Sequence, residues 1–190
     1  MPFLPLWMME GISEYESGAE DPPYTEMVLR DAALSGKLIP LAELHNFGHL
    51  DSHQIFLAYE QSYYAMKFIA EEYGEDNISS MLHDFRDRYE IGSILALRMK
   101  TDLRRLDWKY REWLTDRSER QAKGRKEPSD YGKQLTLKSD YNTNPVFSPD
   151  GARVAFISDR KSWGYSDIYI YDKGRQKNIL KGRIFRSIDS

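Results

Sequence analysis

The 190-residue chain contains no cysteine. Disulfides, thiolate zinc sites and thiol catalysis are excluded. The compartment stays open, because a disulfide-free protein is allowed anywhere. Long apolar runs are also lacking: none approaches the ~18 residues that a membrane span requires. The first ten residues have no basic segment followed by an apolar one, so no signal peptide is visible. Histidine is scarce, at four residues (His45, His49, His53 and His83), and none is followed by glutamate. Basic residues are scarce in the first half, where residues 1–97 carry 5 against 17 acidic ones.

Aromatic residues are plentiful, with 13 Tyr, 8 Phe and 4 Trp in a chain that is 41% hydrophobic. This supplies a core and argues against global disorder. The length suits one domain or two small ones. Residues 98–133 carry 12 basic and 7 acidic residues, and residues 134–190 carry 10 and 6, so the net charge of −3 hides an acidic first half joined to basic segments. Such asymmetry points to more than one unit. The basic stretch can be read as a nucleic-acid patch. Its interleaving with Asp102, Asp107, Glu112, Asp116 and Glu119 reads instead as a solvated helix laced with i,i+4 pairs.

The hydrophobic period divides the chain. Trp7, Gly11 and Glu14 fall at helical spacing, as do Met8, Ile12 and Tyr15, and Pro22-Pro23 is expected to end that element. Thr25 is expected to cap a short helix that stops at Gly36, with loop and short turns over 37–52. A long helix is expected from Asp51 or Ser52 to Tyr73, with Ile55, Tyr59, Tyr63, Met66, Ile69 and Tyr73 on its apolar face and Gly74 at its end. Asp76 or Asn77 caps the next helix, whose apolar face is Ile78, Met81, Leu82 and Phe85. A last helical region runs through Leu103, Leu106, Tyr110, Trp113 and Leu114. Residues 1–117 thus read as all-α, and the polar residues 118–134 as a linker. Beyond it the period becomes 2. Val146-Phe147 precedes the turn Ser148-Pro149-Asp150-Gly151, and strands follow over 153–158 and 166–172. A turn over 173–176 and a further strand at 178–180 complete a meander over 135–190. The expected class is α+β: an all-α unit plus a short antiparallel meander.

Two resemblances attach to these segments. Asn144-Pro145-Val146-Phe147-Ser148-Pro149-Asp150-Gly151, Val154-Ala155-Phe156-Ile157-Ser158-Asp159-Arg160 and Ser166-Asp167-Ile168-Tyr169-Ile170-Tyr171-Asp172 resemble the TolB-type β-propeller repeat. They amount to one blade, where a propeller typically needs 4–8. Trp7-Met8-Met9-Glu10-Gly11-x-x-x-Tyr15 resembles the Glu-Gly helix of the gluzincin, or peptidase MA-like, metallopeptidases. In that family a His-Glu-x-x-His helix gives two zinc ligands and the general base, and the Glu-Gly helix gives the third ligand. The resemblance places Glu10 at that ligand position. It makes Glu14, one turn on, an acceptor that orients a zinc-bound histidine. Ala58-Tyr59-Glu60-Gln61-Ser62 resembles the family's Tyr-x-x-Gly/Ser segment, implying that Tyr59 donates to the oxyanion. Tyr59 has a second reading, as packing on an apolar helix face. Glu10 likewise reads, without the family, as a surface carboxylate near a helix N-terminus.

No His-Glu-x-x-His occurs in the chain. Two zinc ligands and the general base are therefore missing, since catalytic zinc usually takes three protein ligands plus water. His45, His49 and His53 recur every four residues, but the sequence between them is a poor helix, and they read as loop histidines rather than a metal stripe. The expectation is a fragment of a bacterial zinc metallopeptidase-like protein with a propeller, inactive and without bound zinc by itself. The parent would act on peptide or protein substrates and, by resemblance, be periplasmic or secreted. The alternative is a non-catalytic protein–protein interaction module, with the helices as scaffold and the strands as docking surface. Neither reading involves nucleic acid or a membrane span.

Overall fold

The computed structural model describes residues 4–18, 23–88, 90–126, 128–136, 142–160 and 166–180. Pro22, and the parts of the linker and the meander between and beyond these ranges, lie outside the described residues. The chain divides into two compact units, Met1–Gly124 and Arg125–Ser190. Helices fill the first. The second holds one antiparallel sheet and a single helical turn, so the class is α+β.

The first helix, α1 (Leu6–Ser17), starts at Pro5, whose carbonyl accepts from Met8 N at 2.9 Å and Met9 N at 3.2 Å. It stops at Gly18, which takes the left-handed conformation that ends many helices (φ 63°). The proline pair does not end it. Pro23 opens the next helix, α2 (Pro23–Leu34), where a missing N–H costs nothing. Thr25 is therefore not a cap: it is buried in the first turn, and its hydroxyl donates to Glu60 Oε1 at 3.4 Å.

The long helix α3 (Ser52–Tyr73) has the expected bounds. Asp51 accepts from His53 N and Gln54 N while the Gln54 side chain accepts from Asp51 N, which is a reciprocal capping box. Its buried face is rotated from the expected one. Ala58, Gln61, Ser62, Tyr64, Ala65 and Phe68 are buried along with Met66 and Ile69, whereas Tyr59 is 37% exposed and Tyr63 and Tyr73 are half-buried. The physical reason is close packing. Small residues at 58, 62 and 65 let α1 approach, and apolarity alone does not reveal them. The helices α4 (Asp76–Arg88) and α5 (Ile91–Met99) pack together. Leu82 of α4 is 43% exposed, so Ile78 and Met81 make the buried face, with Phe85 partly buried against the core. Arg98 forks onto Asp84 at 2.5 and 2.8 Å, and that bond holds the Asp84 carboxyl below its ordinary range.

The helix α6 (Leu103–Ala122) starts at Asp102, which accepts from Arg105 N at 2.9 Å, and it packs on α2. It continues through 118–122, read from sequence as linker, and Ser118 is buried. The helical core joins Trp7, Met8, Leu29, Leu44, Met66, Ile69, Met81, Leu95 and Leu106.

In the second unit a short helix α7 (Pro128–Tyr131) precedes β1 (Asn142–Phe147), β2 (Arg153–Ser158), β3 (Asp167–Asp172) and β4 (Arg175–Leu180). The four strands form an antiparallel meander in chain order. The first turn closes with Gly151 N donating to Ser148 O at 2.8 Å. Asp150 accepts from Ser148 Oγ at 2.5 Å and Ala152 N at 3.1 Å, and these bonds hold its carboxyl below the ordinary range. The last hairpin is tighter than expected. Asp172 pairs with Arg175, leaving only Lys173 (φ 44°) and Gly174 (φ 83°) as loop, both in the left-handed region a two-residue turn demands. Arg160 lies over the Tyr169 ring at 4.1 Å and donates to Ser158 Oγ, Gln176 Oε1 and Asn142 Oδ1, tying β1, β2 and β4. This gives the Ser158-Asp159-Arg160 motif a structural purpose.

Candidate functional site

The site begins with a contact between two helices. On α1, Trp7, Met8, Gly11 and Ile12 are buried, and this face lies on α3. A Cβ on Gly11 would stand 2.3 Å from the backbone oxygen of Ser62 and 3.1 Å from Met66 Cγ. The two backbones therefore touch where α1 has glycine and α3 has serine. Glu10 is adjacent to that contact, and Tyr59 lies one helical turn before it on α3. The contact thus brings together the neighbourhoods of two residues 49 positions apart in sequence.

Glu10 is half-buried, and its carboxylate has no partner among the described residues. Glu14 is exposed on the next turn, also without a carboxylate partner among the described residues. Tyr15 donates its hydroxyl to Glu75 Oε1 at 3.3 Å. Burial first, and the Glu75 charge second, push its phenol above the ordinary value. The Tyr59 ring meets Phe47 edge-on, with centroids 5.3 Å apart and planes at 79°. Its hydroxyl bonds to no described residue. Tyr59 is therefore packed on one side and open on the other.

Two polar side chains that motif reading did not single out hold this region. Gln61 is fully buried: its Oε1 accepts from Ile39 N at 2.8 Å and its Nε2 donates to Ile39 O at 2.9 Å. Asp107 accepts from Leu41 N at 2.9 Å and pairs with Arg111 Nε at 3.1 Å. The segment 37–41, neither helix nor strand, is thereby strapped to α3 and α6 by side chains. Tyr110 completes the strap, donating to Gln61 O at 2.8 Å. A weak signal was present in the sequence: Gln61 and Asp107 stand among apolar helix positions, where polar residues survive only with partners.

Burial, and then the Asp107 charge, push the Tyr110 phenol well above its ordinary value of 10.0. The native state thus holds this proton where the unfolded chain releases it. The contribution is intact below about pH 10 and is lost as pH rises toward the folded value. Tyr110→Phe is expected to flatten the alkaline fall in stability by up to about 1.4 kcal/mol per pH unit. Urea unfolding at pH 9 to 11 checks this.

The histidines do not form one stripe. His45 ends a 3-10 turn (Glu43–His45), His49 lies in the following turn and His53 sits on the first turn of α3, all exposed. Among the described residues no group of three or more His, Asp or Glu is placed to hold a metal. No described helix is long and apolar enough to cross a membrane.

A family model described as the peptidase MA superfamily matches residues 2–116, more than half of the chain. The chain belongs to the peptidase MA superfamily. No curated protein and no solved structure matches it. The matched residues are those that build the helical unit, so this superfamily member presents a peptidase-like fold over α1 to α6. Zinc, the usual metal of the superfamily, does not fit the residues present. Four-coordinate catalytic zinc needs three protein ligands, whereas Glu10 is one carboxylate, and among the described residues no group of three His, Asp or Glu stands around it.

Proposed function

We propose that this chain contributes the Glu-Gly half of a bacterial metallopeptidase-like protein that acts on peptide bonds. Glu10 is its carboxylate zinc ligand, Glu14 the acceptor that orients a ligand histidine, and Tyr59 the oxyanion donor. A His-Glu-x-x-His segment outside these 190 residues supplies the other ligands and the base. By itself the chain binds no catalytic zinc and hydrolyses no peptide. The observation that carries this reading is the contact of Gly11 with Ser62. It gives a physical reason for glycine after Glu10 and for a small residue three after Tyr59. The Glu10 carboxylate and the Tyr59 hydroxyl, neither bonded to a described residue, agree with groups kept for a ligand.

Residues 135–190 are, in this proposal, the first repeat of a TolB-type propeller, joined by a linker that starts after α6. Val146 and Phe147, adjacent on β1 and therefore on opposite faces, are 62% and 71% exposed, and Ile179 and Leu180 on β4 are 51% and 59% exposed. A sheet with apolar residues on both faces suits a repeat that neighbouring repeats cover. By the same resemblance the parent is periplasmic or secreted.

The reading frame upstream of the Met1 codon tests the proposal. An in-frame His-Glu-x-x-His is the expected finding. A ribosome-binding site directly before Met1, with no such motif upstream, would favour a non-catalytic interaction module on the same scaffold.

A further inference from the structure

The outer face of α6 carries charges that do its own helix no good. Arg104 and Arg105 stand in the first turn, where the helix dipole favours acids, and neither is bonded through its side chain to a described residue. Glu119 stands in the last turn, where the dipole favours bases, and Glu112 is likewise unpaired among the described residues. Between these ends Trp108 is 58% exposed. Two open depressions flank its ring. One, of about 490 Å³, is lined by Arg104, Arg105 and Arg111 with Asp102 and Asp107; the other, of about 270 Å³, by Glu112, Asp116 and Glu119 with Arg111 and Thr115. Arg111 is held by Asp107, Asp116 by Arg120, and Asp102 caps the helix through Arg105 N, which leaves two arginines before Trp108 and two glutamates after it without an ion-pair partner among the described residues, a net basic side and a net acidic side.

The spacing is symmetric. Arg104 precedes Trp108 by four residues and Glu112 follows it by four, about 6 Å each way along the helix and on one face. A surface whose charge reverses about its centre complements a copy of itself turned through a two-fold axis. That is the requirement for an isologous contact.

We propose that two copies of this chain associate through α6, antiparallel, with the axis at Trp108. Each tryptophan then covers the other copy's exposed ring. Each Arg104 faces the partner copy's Glu112, and the two helix dipoles oppose. One helix face is a small interface, so the dimer is weak. This proposal is independent of the peptidase reading.

Sedimentation of the 190-residue chain up to about 0.5 mM tests it. The expected result is concentration-dependent dimerisation, accompanied by a blue shift of tryptophan emission that Trp108→Phe removes. Arg104→Glu alone and Glu112→Arg alone each place like charges at both contacts, and are expected to weaken association at least about tenfold. An equimolar mixture of these two variants restores both contacts and is expected to form a heterodimer. Far-UV circular dichroism checks that each variant is folded, as expected for exposed positions. A chain that stays monomeric throughout, leaving the face to another partner, would overturn the proposal. So would a dimer that ignores both charge reversals, or a mixture that does not rescue.

Discussion

Gly11→Ala is expected to destabilise the helical unit by about 3 kcal/mol, against the usual direction of that substitution. In an exposed helix interior, alanine in place of glycine gains about 1 kcal/mol. At position 11 the added methyl meets a backbone oxygen at 2.3 Å, and a backbone atom cannot turn aside as a side chain can. Relief requires α1 to lift from α3. That loosens Trp7, Met8 and Ile12, all buried on this face. Ser62→Ala should not rescue the variant, because the clash is with the carbonyl rather than the hydroxyl. Urea unfolding followed by circular dichroism measures the effect, and an unchanged or raised midpoint would mean that the helices do not touch here. The same substitution should disturb Glu10, since the lift displaces its neighbour.

The second large effect is expected from Gln61→Met. The replacement is similar in size and keeps the helix, but it removes both bonds to Ile39. One buried N–H and one buried carbonyl are left without partners, at about 1–3 kcal/mol each, so a total near 3 kcal/mol is expected. The loss has a local signature. The Ile39 amide should exchange with solvent far faster than in the parent chain, while amides in α4 and α5 change only with global stability. An Ile39 amide that remains protected would show that the strap is held by something other than Gln61.

These two positions also mark what could be read from sequence. Helix bounds set by local chemistry were legible. Asp51 with Gln54 makes a capping box, Gly74 follows α3, and Ser148 to Gly151 forms a turn, because each depends on residues within a few positions. The buried face of α3 was not legible. It is set by how near α1 comes, and Ala58, Ser62 and Ala65 are core because they are small. Thr25 failed as a cap for a similar reason, since Pro23 could start the helix earlier and the threonine hydroxyl found Glu60 across the core. Helix α6 overran its expected end because a charged sequence is as compatible with a solvated helix as with a linker, and only the burial of Ser118 distinguishes them.

For the site, the Glu10-Gly11 pair was visible as a motif. Its partner Ser62 became meaningful only once the two backbones were found in contact. Tyr59 reads by spacing as part of an apolar face and by resemblance as an oxyanion donor, and it stands at the rim, edge-on to Phe47 and open to solvent. Gln61 occupies an unspecified position of the Tyr-x-x-Ser segment, because its role is a long-range clamp on Ile39, 22 residues away.

The most direct test of the central claim is a fluorogenic peptide-hydrolysis assay on the purified 190-residue chain with zinc added, alongside calorimetric zinc titration. One carboxylate without its companion ligands should give no zinc-dependent turnover and no sub-micromolar zinc binding, with Glu10→Ala indistinguishable from the parent. Zinc-dependent hydrolysis that disappears in Glu10→Ala would contradict it.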